Sequence, residues 1–194
     1  LVISLMTIYL IFCLFFYWNT CKNKNYTFAR MSGLRKILFP LSLIYELVIR
    51  LRNLLYDNGR LESQEFKTPS ICIGNLNVGG SGKTPFISFV VHHFQNDKNI
   101  AILSRGYKRK TKGFKEVSIQ DKATDVGDEP LQFKLQFPGV SVVVDEKRAH
   151  GMQMLESHYQ PDLILLDDAF QHRAVKPDIN IVLTIYQNPF YKDL

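Results

Sequence analysis

Five short and nearly unbroken apolar runs constrain this chain more than any other feature: residues 71–74, 100–103, 140–144, 163–166 and 181–184. A strand that is apolar at every position, rather than at every second one, is covered on both faces. The stretches 85–95, 129–137 and 146–159 between these runs have helical composition and spacing. Repeated β-then-α units predict an α/β fold built on a mostly parallel, doubly wound sheet, with its reactive groups gathered at the strand C-termini. A hydrophobic share of 46% supports such a core and excludes wholesale disorder or a low-complexity filament. No internal repeat interrupts the pattern.

Charge and apolarity are unevenly spread. The 194 residues carry a formal charge of +6, yet residues 1–60 hold eight basic side chains (Lys22, Lys24, Arg30, Arg35, Lys36, Arg50, Arg52, Arg60) against only Glu46 and Asp57. The rest of the chain is balanced, so the surplus accompanies the most apolar segment and points to a membrane surface rather than to nucleic acid. Residues 1–18 are apolar enough to reach across a bilayer core, with Trp18 and the following basic cluster placing the later chain on the cytoplasmic side. Two readings of residues 1–30 stay open: a short signal anchor, or an extension upstream of a natural start at Met31. Residues 31–60 form the next unit, where 40–57 reads as an amphipathic helix with Pro40 in its first turn. Ser42, Glu46, Arg50, Asn53 and Asp57 line its polar stripe, Glu46 can pair with Arg50, and the apolar face suits a lipid interface. Residues 61–194 make the α/β core. Cys13, Cys21 and Cys72 form no paired motif and indicate neither a disulfide framework nor a zinc site.

The strongest local signal is Gly74-Asn-Leu-Asn-Val-Gly79-Gly80-Ser81-Gly82-Lys83-Thr84-Pro85, between the first strand and the first core helix. A phosphate-binding loop needs small residues whose N–H groups converge on phosphate, a Lys for the β/γ-phosphates and a hydroxyl for Mg²⁺. Residues Asn77, Val78, Gly79, Gly80, Ser81, Gly82, Lys83 and Thr84 supply that cradle, with Asn77 standing where the strict pattern asks for glycine. The fold class is therefore P-loop NTPase-like, and ATP and Mg²⁺ are the expected cofactors. Asp167 and Asp168 follow a four-residue apolar strand, where a metal-ordering carboxylate belongs, and join Thr84 as candidate metal groups. Asp128, before Glu129 and Pro130, reads equally well as a helix N-cap or as a general base. Arg105 follows another strand end and can face phosphate or substrate. The basic run Lys108, Arg109, Lys110, Lys112 and Lys115 reads as a solvated loop, and His172 by itself as a turn residue.

Taken in order, Gly74-Asn75-Leu76, the loop through Pro85, Ser104-Arg105-Gly106-Tyr107, Val126-Gly127-Asp128-Glu129-Pro130 and Leu166-Asp167-Asp168-Ala169-Phe170-Gln171-His172-Arg173 resemble the tetraacyldisaccharide 4′-kinases, the lipid A 4′-kinases of Gram-negative bacteria. The resemblance covers residues 31–194. It implies that Lys83 and Thr84 bind ATP and Mg²⁺, that Asp167 and Asp168 form the acidic pair, and that Asp128 is the catalytic base. It also implies support from Arg105 and His172, and a substrate-side role for Glu129, Gln171 and Arg173. The implied substrate is a lipid disaccharide, and the implied location is the cytoplasmic face of the inner membrane, reached through the N-terminal helix, with no obligate protein partner evident. Family members continue into a second domain, so the chain is expected to be a fragment. Two other readings remain: a P-loop ATPase or GTPase acting as a switch or metallochaperone, and an inactive membrane-bound kinase remnant.

Overall fold

A computed structural model describes residues 28–75, 82–170 and 172–184, with backbone only for 28–42. The chain divides into two compact units: one holds the N-terminal helix, and the other, Ser63–Tyr186, holds the sheet. The apolar run 1–18 lies outside the described residues.

Helix α1, Phe28–Asp57, starts well before Pro40 and runs through it. A proline lacks only its own N–H, so one i→i−4 bond is lost while the flanking turns persist. Beyond Pro40, Leu43, Ile44, Leu47, Val48, Leu51 and Leu54 are all more than half exposed, and Arg50 donates to Glu46. No helix among the described residues is long and apolar enough to cross a membrane.

The second unit runs β1 (Ser70–Asn75), α2 (Lys83–Phe94), β2 (Ile100–Ser104), β3 (Lys115–Glu116), α3 (Ala123–Val126), α4 (Asp128–Gln136), β4 (Ser141–Val144), α5 (Arg148–Met154), β5 (Leu163–Asp167) and β6 (Ile179–Leu183). A π-helical turn, Leu155–Tyr159, continues α5. The strands form one sheet in the order β3-β4-β2-β5-β1-β6, parallel except for the β3–β4 pair. β2, β4 and β5 alternate their apolar side chains between two cores. Ile102, Val142 and Leu165 face Ile87, Val91 and Phe133 of α2 and α4. Leu103, Val143 and Leu166 face Met152 and Leu155 on the other side. Helices on both faces make the sheet doubly wound, as the unbroken apolar runs require.

Two expectations are corrected here. Among the described residues β6 lies at the sheet edge, paired with β1 alone, and is exposed or half-buried along its length. The loop after β2 is not simply solvated: the Arg109 side chain is 3% exposed and bonds Glu146 at 2.5 Å and the Gly113 carbonyl at 2.6 Å. Lys115 likewise pairs with Asp121.

Candidate active site

β1, β2, β4 and β5 are parallel, so their C-termini share one edge, and the motif residues collect there. Gly82 caps α2 in a left-handed conformation (φ 81°), where a side chain would be strained, and its carbonyl accepts the Phe86 N–H. No acidic residue occupies the first turn of α2, which leaves the positive end of its dipole open to an anion. Lys83 and Thr84 open that turn. The loop residues Asn77, Val78, Gly79, Gly80 and Ser81 lie outside the described residues.

Lys83 crosses to the end of β5, where its ammonium pairs with Asp168 at 2.8 Å. Asp168 itself sits at φ 52°, with its N–H donating to the Ile73 carbonyl. Non-glycine residues hold such a conformation only where surrounding contacts over-determine it, and such residues cluster at functional sites. Asp167, one residue earlier, is 2% exposed and accepts a hydrogen bond from Ser104 Oγ at 2.8 Å. Burial, reinforced by the charge of Glu129, pushes its carboxyl up to about 6, while the Ser104 bond and Lys83 pull the other way. Arg148 lies beneath, fully buried, donating to the carbonyls of Asp145 and Asp167. Among the described residues its Nε has no partner, and burial lowers its pKa to about 10. Burial also raises the Cys72 thiol on β1 to about 11, which makes it inert.

Glycine contacts lock the motifs together. A Cβ on Gly74 would stand 2.6 Å from Phe170 Cβ, so the base of the phosphate loop packs against the turn that carries the acidic pair. A Cβ on Gly127 would stand 3.0 Å from Gly106 Cα, joining the Arg105 loop to the start of α4. The N-cap reading of Asp128 does not hold in the fold. Gly127 is the N-cap and no side-chain cap bond forms; Asp128 is the first helical residue, exposed, and no hydrogen bond or ion pair among the described residues engages its carboxylate. Asp128 also borders an open groove with Leu131, Gln132, Leu135 and Gln136.

Arg105 is exposed and close enough to Arg148 for like-charge repulsion to help depress the latter. His172 and Arg173 lie half-buried in the turn after the acidic pair, where the His172 N–H donates to the Ala169 carbonyl and Ser63 Oγ donates to the Arg173 carbonyl. Gln171 lies outside the described residues. The site thus unites Lys83, Asp167 and Asp168 by direct contact or adjacency and adds Glu129 electrostatically. Ser104 and Arg148 are the side chains that sequence reasoning did not single out.

The family model for tetraacyldisaccharide-1-P 4′-kinase matches residues 34–194. This chain belongs to that family. Among curated tetraacyldisaccharide 4′-kinases, that of Bacteroides thetaiotaomicron is 46% identical, over 82% of this chain and 43% of its own length. That of Flavobacterium johnsoniae is 47% identical, over 84% and 48% respectively. A crystal structure of LpxK from Aquifex aeolicus in complex with ATP superposes with a TM-score of 0.69 at 42% identity, covering 79% of this chain and 50% of that one. The chain therefore spans about half the length of the tetraacyldisaccharide 4′-kinases it matches.

Proposed function

We propose that this protein is a kinase that moves the γ-phosphate of ATP to the 4′-hydroxyl of a tetraacylated glucosamine disaccharide 1-phosphate, a step of lipid A biosynthesis. The observation that carries the reading is the 2.8 Å Lys83–Asp168 pair beside the buried Asp167, at the sheet edge where α2 begins.

The Lys83 ammonium has three donors, enough to keep one on Asp168 while the others meet β- and γ-phosphate oxygens. Asp167, Asp168 and Thr84 offer hard oxygen donors that fit Mg²⁺, which keeps several waters and uses only one or two carboxylates. When bound, the ion neutralises charge on the transferring phosphate. Asp128 takes the proton from the acceptor hydroxyl as that oxygen bonds to the γ-phosphorus and the bond to the β–γ bridging oxygen breaks. Positioning and charge neutralisation supply most of the acceleration.

The same reading places the enzyme at a membrane surface, on the cytoplasmic face of the inner membrane. Support comes from the exposed apolar row on α1 and the surplus positive charge that accompanies it.

The assay supplies the disaccharide 1-phosphate, ATP and Mg²⁺ and looks for the bis-phosphorylated product. Asp128→Asn is expected to lower kcat by roughly 10²–10⁴-fold with nucleotide binding intact. Wild-type turnover in that variant would remove the base assignment, and a protein that binds MgATP yet never phosphorylates the disaccharide would remove the kinase reading.

A further inference from the structure

Ser104 ends β2, and its hydroxyl donates to Oδ2 of Asp167 at 2.8 Å, with both residues almost completely buried. The pairing follows from the sheet register. β2 and β5 are adjacent and parallel with Leu103 opposite Leu166, so the next step along the ladder brings Ser104 beside Asp167. The Asp167 backbone is secured separately. Arg148 Nη2 donates to its carbonyl at 3.2 Å, and the N–H of Asp168 donates to the Ile73 carbonyl at 3.0 Å. These bonds fix where the residue sits; they do not fix how its carboxylate turns about the side-chain torsions. The Ser104 hydroxyl does. A buried hydroxyl must spend its proton on some acceptor. At this position the acceptor is the functional acid, while the Ser104 carbonyl is already occupied by the Asp145 N–H.

We propose that Ser104 is a positioning residue for the divalent-cation site. Its hydroxyl engages one carboxylate oxygen of Asp167 and leaves the other for the ion or for the ion's water shell. The role rests on the MgATP reading above, and it resembles that of the hydrogen-bond partners that orient metal ligands elsewhere.

The test titrates MgCl₂ into the whole chain with a fluorescent N-methylanthraniloyl ATP and compares Ser104→Ala, Ser104→Cys and Ser104→Thr with the parent. Cysteine keeps the volume but donates weakly, whereas threonine keeps the hydroxyl. Ser104→Ala and Ser104→Cys should raise the Mg²⁺ concentration for half-maximal effect by roughly 10–100-fold, the usual cost of losing such a partner, with metal-free nucleotide affinity unchanged. Ser104→Thr should titrate close to the parent. Parent-like titration of the Ala and Cys variants would overturn the role, as would equal losses in Thr and Ala, which would mark a packing effect only. If near-UV circular dichroism shows Ser104→Ala unfolded, the Cys and Thr pair decides alone. A parent that binds the nucleotide with no response to Mg²⁺ removes the MgATP reading itself, an outcome distinct from loss of rescue by threonine.

Discussion

At Asp167 the proposed metal role and stability pull in opposite directions. Its ordinary carboxyl value of 3.8 rises to about 6 in the fold, chiefly because burial disfavours the charged form. A group whose folded value is raised favours folding only while it is protonated. Its contribution is complete below about 3.8 and is lost as pH climbs through about 6. At neutral pH the ionised carboxylate is therefore a burden on the metal-free protein. Asp167→Asn keeps an oxygen for the Ser104 hydroxyl and removes the charge. It should stabilise the protein at pH 8 by up to about 3 kcal/mol, a gain that fades towards pH 4, while phosphoryl transfer is lost. Thermal unfolding at the two pH values checks this; a variant less stable than the parent at pH 8 would show that the charge is compensated within the metal-free fold. Under the proposed Mg²⁺ role a bound cation would supply that compensation, so metal affinity should fall as the pH drops through 6 and Asp167 takes up a proton.

Between elements, the decisive contacts are backbone on backbone. Gly127 has φ 97° and ψ 155°, a region occupied almost only by glycine, and it packs directly on Gly106, itself at φ 68°. The contact holds the start of α4, and with it the backbone of Asp128, to the loop that follows β2. Gly127→Ala should cost roughly 1–3 kcal/mol from strain alone, and because it displaces the first turn of α4, kcat should fall more than nucleotide affinity. Denaturant titration and steady-state kinetics together test the split; unchanged kcat in a destabilised variant would reduce the contact to scaffolding. Helix α1 calls for a different experiment. Leu47 and Leu51 are 66% and 55% exposed one turn apart. Burying each in a lipid interface contributes about 1.5–3 kcal/mol, so Leu47→Asp with Leu51→Asp should weaken binding to anionic vesicles at least tenfold in a co-sedimentation assay. Equal sedimentation of variant and parent would take membrane contact away from this face.

Across the whole molecule, what the sequence made legible follows a physical rule: features written in contiguous residues could be read, and features made by distant pairs could not. Two-sided burial wrote β2, β4 and β5 as unbroken apolar runs, and the loop ending in Gly82-Lys83-Thr84 announced the helix it caps. β3 has only Lys115 and Glu116 and carries no pattern. β6 reads like a central strand because its sequence is apolar, while its edge position among the described strands is a property of the sheet. Ser104 meets Asp167 across 63 residues, and Arg148, basic and in a first helical turn, looks like surface until the sheet closes over it. The site is thus a product of the assembled edge, and a ligand that touches the α2 turn and the end of β5 should stabilise the whole unit cooperatively. At a hundredfold excess over its Kd, MgATP should add about 2.7 kcal/mol, or roughly 10 °C in the unfolding midpoint of a unit this size. Lys83→Ala should abolish that shift, because it removes the cation that joins the first turn of α2 to the acidic pair, whereas Asp128→Asn should keep it, because a base for the acceptor hydroxyl contributes nothing to holding nucleotide. Differential scanning calorimetry with and without MgATP on the three proteins separates the roles. Loss of the shift in Asp128→Asn would move that carboxylate from acceptor chemistry to nucleotide binding.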